Sequence, residues 1–195
     1  MYGERVRESD AGRWERLFAD LEDQADALER AEEAAQVGDR VRAEVGDVRL
    51  YDRLRAAVGQ QLALTVRGAG AVAGALLEVG PDWLLLGEPY EREVLVPFAA
   101  VTSVGGLGRH SAAPGSQGRV AARLTLRWAL RRLARDRAAV CVFLADGCQL
   151  GGTVDRVGAD FVELAEHPAG EPRRASAVRG VRAVPLHALA LIRRP

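Results

Sequence analysis

The sequence predicts a mainly β protein with helices: two tandem five-stranded antiparallel barrels, each preceded by a helix, plus an N-terminal acidic amphipathic helix. Three observations carry this. The stretch Leu62–Val104 recurs as Val140–Ile192, each copy is a series of short apolar runs split by turn residues, and each series follows a segment with helical periodicity. With a shift of 78 residues Gly74 meets Gly152, Leu76 meets Val154, Val79-Gly80 meets Val157-Gly158, Asp82 meets Asp160, Trp83 meets Phe161 and Leu86 meets Leu164. The second copy carries ten further residues, after which Val96-Pro97 falls on Val184-Pro185, and Phe98, Val101 and Val104 fall on Leu186, Leu189 and Ile192.

At 195 residues the chain has room for two small domains and an appendage. The duplication suggests residues 1–46 as an acidic amphipathic helical segment, 47–107 as a helix plus the first barrel, 108–118 as a flexible linker, and 119–195 as an arginine-rich helix plus the second barrel. No apolar run approaches the roughly 20 residues that span a bilayer. The start Met1-Tyr2-Gly3-Glu4-Arg5 leads into no apolar stretch, so no signal peptide is expected. A cytoplasmic location and no membrane partner are the expectations.

The formal charge is zero, and all 27 basic residues are arginine, a usage that reflects a GC-rich genome rather than a choice of guanidinium chemistry. The charge is uneven along the chain. Residues 1–47 hold 14 acids and 7 arginines, whereas Val94–Arg135 hold 7 arginines and no acid.

The first element is a helix from Arg13 to about Gln36, with Trp14, Leu17, Phe18, Leu21, Ala25, Leu28 and Ala35 at helical spacing and Asp10 as its N-cap. The d-like positions Leu17, Gln24, Ala31 and Gly38 decay into polar or small residues, which excludes a long coiled coil. Its outer face, with Asp20, Glu22, Asp23, Asp26, Glu29, Glu32 and Glu33, is either solvated or bound by a partner. A second helix with Asp47 in a capping position runs through Val48, Tyr51, Leu54 and Val58.

In the first copy, Leu62–Val66, Val72–Glu78, Trp83–Leu86, Glu93–Pro97 and Val101–Val104 are expected strands. In the second, Val140–Leu144, Gln149–Asp155, Phe161–Leu164, Val181–Val184 and Ala188–Ile192 repeat them. Gly74 and Gly152 mark the bend of each second strand, where a missing Cβ lets a small sheet curve tightly. Trp83 and Phe161 are expected to be equivalent and largely buried, one in each barrel core. Between the copies, Gly105–Gly118 is rich in Gly, Ser, Ala and Pro. A helix from Arg119 to Arg135 follows, carrying Arg119, Arg123, Arg127, Arg131 and Arg135 at every fourth position with Arg132 beside them, one basic stripe.

The run Val140-x-Val142-x-Leu144-x-x-Gly147-x-x-Leu150-x-Gly152-x-Val154-x-x-Val157 resembles the first motif of the Sm-like barrels, the Sm, LSm and Hfq proteins. The Val-Gly-x-Asp-aromatic turn with a later Val-Pro is similar to the C-terminal barrel of RimP-type ribosome maturation factors. Where Sm proteins place the aspartate and asparagine of their RNA pocket, this chain has Gly80 and Leu84, and Gly158 and Val162. The resemblance therefore implies the Sm-like fold and an oligomerisation-prone edge, not Sm-type base recognition.

No enzyme motif is present. Ser9, Ser103, Ser111, Ser116 and Ser176 lie in no Gly-x-Ser-x-Gly setting, and Cys141, Cys148, His110, His167 and His187 share no ligand spacing. Gly68-Ala-Gly70 follows a strand, but Ala71–Val79 is too short for the crossover helix of a dinucleotide fold. No catalytic residue, metal, cofactor or small-molecule substrate is expected. Two binding readings remain. In one the chain is a scaffold or homo-oligomer whose strand edges pair, with the acidic helix neutralising the arginines. In the other, Arg119, Arg123, Arg127, Arg131, Arg132 and Arg135 contact phosphates of RNA or another nucleic acid.

Overall fold

The computed structural model describes Leu28, Arg30 and residues 46–113, 115–118, 121–168 and 178–194. The chain divides into Met1–Val48 and Arg49–Pro195. In the first unit Leu28, Arg30 and Gly46 have helical backbone, with Leu28 and Arg30 exposed. The rest of the expected acidic helix lies outside the described residues.

The second unit opens with a short helix, α1 (Leu50–Ala56), whose N-cap is Arg49 in an extended conformation without a side-chain cap. The expected capping role of Asp47 is therefore not realised, and the helix starts later than its apolar spacing suggests. Leu54 and Ala57 face inward, and α1 packs on the second strand. Five strands follow: β1 (Gln61–Val66), β2 (Gly70–Val79), β3 (Trp83–Glu88), β4 (Arg92–Pro97) and β5 (Val101–Gly105). After a long loop come helix α2 (Leu126–Asp136) and β6 (Ala139–Leu144), β7 (Gln149–Val157), β8 (Phe161–Glu166), β9 (Gly180–Pro185) and β10 (Leu189–Arg194).

The two copies are equivalent element by element. Each has the order fifth, first, second, third, fourth strand: β5-β1-β2-β3-β4 and β10-β6-β7-β8-β9. Leu62 pairs with Gly74 as Val140 pairs with Gly152. A bulge between Leu76 and Glu78 matches one between Val154 and Arg156, and such bulges sharpen the local twist of a strand. The turn amides match too: Gly80 donates to the Trp83 carbonyl as Gly158 does to that of Phe161, and Phe98 donates to the Asp82 carbonyl as Leu186 does to that of Asp160. A Cβ on Gly74 or Gly152 would fall under 3.0 Å from the carbonyl oxygen of Gly87 or Ala165 on the neighbouring strand, closer than real Cβ atoms come. That close approach is why both second strands need glycine there.

The copies do not close into barrels, which corrects the expected two five-stranded barrels. Closure would pair the fourth strand of each copy with its own fifth. Instead β4 pairs antiparallel with β10, through Leu95↔Ile192, Val94↔Arg193 and Glu93↔Arg194, and the ten described strands form one open antiparallel sheet. The physical reason is visible in the side chains. Val94, Leu95 and Val96 are all buried, as are Leu189, Ala190, Leu191 and Ile192, so both faces of these two strands need cover. Such continuous apolar runs belong to the interior of a sheet rather than to one wall of a half-solvated barrel.

Two cores result, and each borrows from the other copy. The first gathers Leu54, Leu64, Leu76 and Leu86 with Val94 and Val96, and takes in Ala190 and Leu191 from β10. The second gathers Leu130, Val140, Val154 and Leu164, and takes in Trp83 and Leu95 from the first copy. Helix α2 lies over β7 as the lid of this second core.

Candidate interaction surface

The joint between the copies is the most elaborated surface. Trp83 is buried, and its Nε1 donates to the Leu124 carbonyl at 2.7 Å. Beside it, the Leu126 amide at the start of α2 donates to Asp82 Oδ1 at 2.7 Å. A residue of the first copy thus satisfies a helix-end amide that precedes the second, since Thr125 gives no side-chain cap. Arg193 of β10 makes a bidentate pair with Glu88 of β3, at 2.8 and 3.0 Å, and stacks over Phe143. Arg194 lies 3.7 Å from Glu93 and 3.8 Å from Asp136. Bidentate arginine–carboxylate pairs fix register as well as adding attraction.

A cavity of about 340 Å³ lies beside this joint, lined by Trp83, Leu95, Trp128, Leu133, Arg132 and Arg194 among others. Its cations are already engaged: Arg194 by the two carboxylates, and Arg132 over the Trp128 ring. A second cavity, of about 370 Å³, is lined by Cys141, Gln149, Glu166 and His167 among others. There His167 is buried with both ring nitrogens bonded, Nε2 to the Thr153 hydroxyl at 2.8 Å and Nδ1 to the Pro168 carbonyl at 3.0 Å. A ring so held is a structural cross-link between β7 and the end of β8.

Both thiols are held towards their protonated form. Burial pushes Cys141 above the usual thiol range, and a hydrogen bond to the Asp146 carboxylate does the same for Cys148. Asp146 is pulled the other way, chiefly because the Cys148 amide donates to it at 2.9 Å. Thiolates are disfavoured at both cysteines, the reverse of an activated site. Among the described residues no group of three or more His, Cys, Asp or Glu could hold a metal, and no helix is long and apolar enough to cross a membrane.

The arginine stripe is only partly assembled. The helix expected from Arg119 begins at Leu126, after a 3-10 turn at Ala121–Arg123 that carries Arg123. Arg119 lies outside the described residues. Arg127, Arg131 and Arg135 do fall at successive turns of α2, with Arg131, Arg132 and Arg135 exposed, while Arg127 is half-buried and its Nε has no partner among the described residues. The loop before α2 is tied to α1: Arg53 donates to the Gly108 carbonyl at 2.8 Å, Arg55 to the Ser116 hydroxyl at 3.0 Å, and the Ala112 amide to the Asp52 carbonyl at 3.0 Å.

Phe161 differs from its counterpart Trp83. It is 36% exposed where Trp83 is 2% exposed: the segment leading into α2 covers the first copy's ring, through the Leu124 carbonyl that accepts from the indole. Sequence reasoning missed this, since the two residues match in type and in register. No protein-family model matches the chain, and comparison with curated proteins finds no match either.

Proposed function

We propose that the chain is a non-enzymatic scaffold or oligomeric interaction protein built from duplicated Sm-like units. One observation carries this reading: the two copies meet edge to edge through β4 and β10, and the strands equivalent to these, β9 and β5, stand at the two margins of the ten described strands. A margin of unpaired backbone N–H and C=O groups is a template for a further strand. The engaged His167 ring, the disfavoured thiolates and the pairing of Arg194 with two carboxylates at the joint support structure over catalysis.

The second reading is RNA or other nucleic-acid binding, favoured by the exposed Arg131, Arg132 and Arg135 on α2 and by the absence of acids from Val94 to Arg135. Light scattering of the full chain at low and high salt, together with its 260/280 nm absorbance ratio and titration with single-stranded RNA, separates the two. The scaffold reading expects material free of nucleic acid and weak RNA binding at physiological salt. Tight RNA binding that loses about one unit of salt slope per arginine in an Arg131→Ala, Arg135→Ala variant would replace it with the second reading.

A further inference from the structure

The joint inside the chain shows how one copy meets another. At it, the fourth strand of one copy pairs with the fifth strand of the next, Leu95 opposite Ile192. The duplication maps Leu95 onto Ala183 in β9 and Ile192 onto Val104 in β5, and among the described strands each of these has a sheet neighbour on one side only. A heterologous contact of this kind repeats, because whatever mates with one end of the chain is offered by the other end of the next.

The side chains around β9 behave as an uncovered version of the internal joint. Trp83 and Leu95, which enter the second core from the first copy, are buried. Their equivalents Phe161 and Ala183 are exposed, and Val181 at the start of β9 is 60% exposed. At the opposite end, Leu50 is half-exposed at the first position of α1, whereas Leu126, at the first position of α2, is buried. An exposed ring and valine beside an open strand edge at one end, with an exposed leucine at the other, mark a surface that association covers.

Pro185 and the charge on β9 do not block such a pairing. Pro97 occupies the equivalent place at the end of β4, and β4 still pairs, because the ladder uses Glu93 to Leu95 at the other end of that strand. The outer joint is the weaker one. Thr102 and Ser103 stand in β5 where Ala190 and Leu191 stand in β10, and Glu166, the equivalent of Glu88, pairs with Arg182 of its own copy. Any association there would be reversible and concentration-dependent, where the internal joint is covalently tethered within one chain.

We propose that β9 of one chain pairs antiparallel with β5 of a second copy of the same chain, Ala183 opposite Val104, giving head-to-tail assembly with Phe161 covered by the neighbour. This rests on the scaffold reading and names its partner and surface.

The test uses full-length chains in a Cys141→Ser, Cys148→Ser background carrying either Val104→Cys or Ala183→Cys. Directly opposed Cα atoms of an antiparallel pair lie about 4.5–5.5 Å apart, within the span of a disulfide. On oxidation with diamide, the mixture of the two variants is expected to form covalent dimers, and a chain carrying both cysteines a ladder of multiples of 20.9 kDa. Light scattering of the native chain is expected to show mass rising with concentration, and Phe161→Ala to weaken that association at least about tenfold while the fold is retained. Cross-linking within either single variant, which requires like edges to meet, overturns the proposal. So does a native chain that stays monomeric, or one that associates without cross-linking in the mixture. Failure of the scaffold reading is separate, because it shows as tight RNA binding whatever the edges do.

Discussion

Replacing Trp83 with Ala is expected to lower stability by about 3–5 kcal/mol, the usual range for truncating a buried aromatic in a site that cannot collapse. Trp83 is 2% exposed and belongs to the core of the copy that does not contain it. The substitution also leaves the Leu124 carbonyl without the indole N–H that donates to it. The equivalent change at Phe161 is expected to cost about 1–2 kcal/mol, because a partly exposed ring withdraws less apolar area from water and leaves no sealed cavity. Urea denaturation of the two variants decides the matter. Equal losses would mean that the two rings are covered alike and that the copies are independent.

Leu191→Ala carries the second large effect, about 2–5 kcal/mol for a fully buried leucine. Leu191 sits on β10, a strand of the second copy, yet packs in the first core. Trp83 and Trp128 lie in or against the second core, so in a Trp14→Phe background the fluorescence reports that core alone. If the copies unfold as one unit, Leu191→Ala moves the fluorescence midpoint and the far-UV circular dichroism midpoint together. An unmoved fluorescence midpoint would show two separately folding units.

Much of the architecture was written in the chain. The register carrying Gly74 onto Gly152 and Val96-Pro97 onto Val184-Pro185 brought out the equivalence of the copies, down to the bulges and turn amides that follow from it. What the residues could not say was which edge meets which. Each strand carries its own polarity pattern but no label for its partner, so closure within a copy and pairing between copies fit the alternation equally. The uninterrupted runs at Val94–Val96 and Leu189–Ile192 hinted at the answer, because a strand that is apolar on both faces needs cover on both.

The misplaced start of α2 and the exposure of Phe161 share one cause. The helix begins at Leu126 rather than Arg119 where Asp82, 44 residues away, accepts its first amide, and no local spacing announces such a partner. Burial of the aromatic at the turn depends on whether a helix from the adjoining copy lies over it, which is again a property of the joint and not of the motif. The arginine stripe suffered in the same way: its helical half was legible, and its first turns were not.

The two copies are joined through β4 and β10 rather than closed on themselves. Nuclear Overhauser contacts across the strands, measured on isotopically labelled chain, decide between the two arrangements. The joined sheet gives cross-strand contacts between Leu95 and Ile192 and between Val94 and Arg193, with slow amide exchange along both strands. Contacts linking Arg92–Pro97 to Val101–Gly105 within the first copy, with none to Leu189–Arg194, would contradict it.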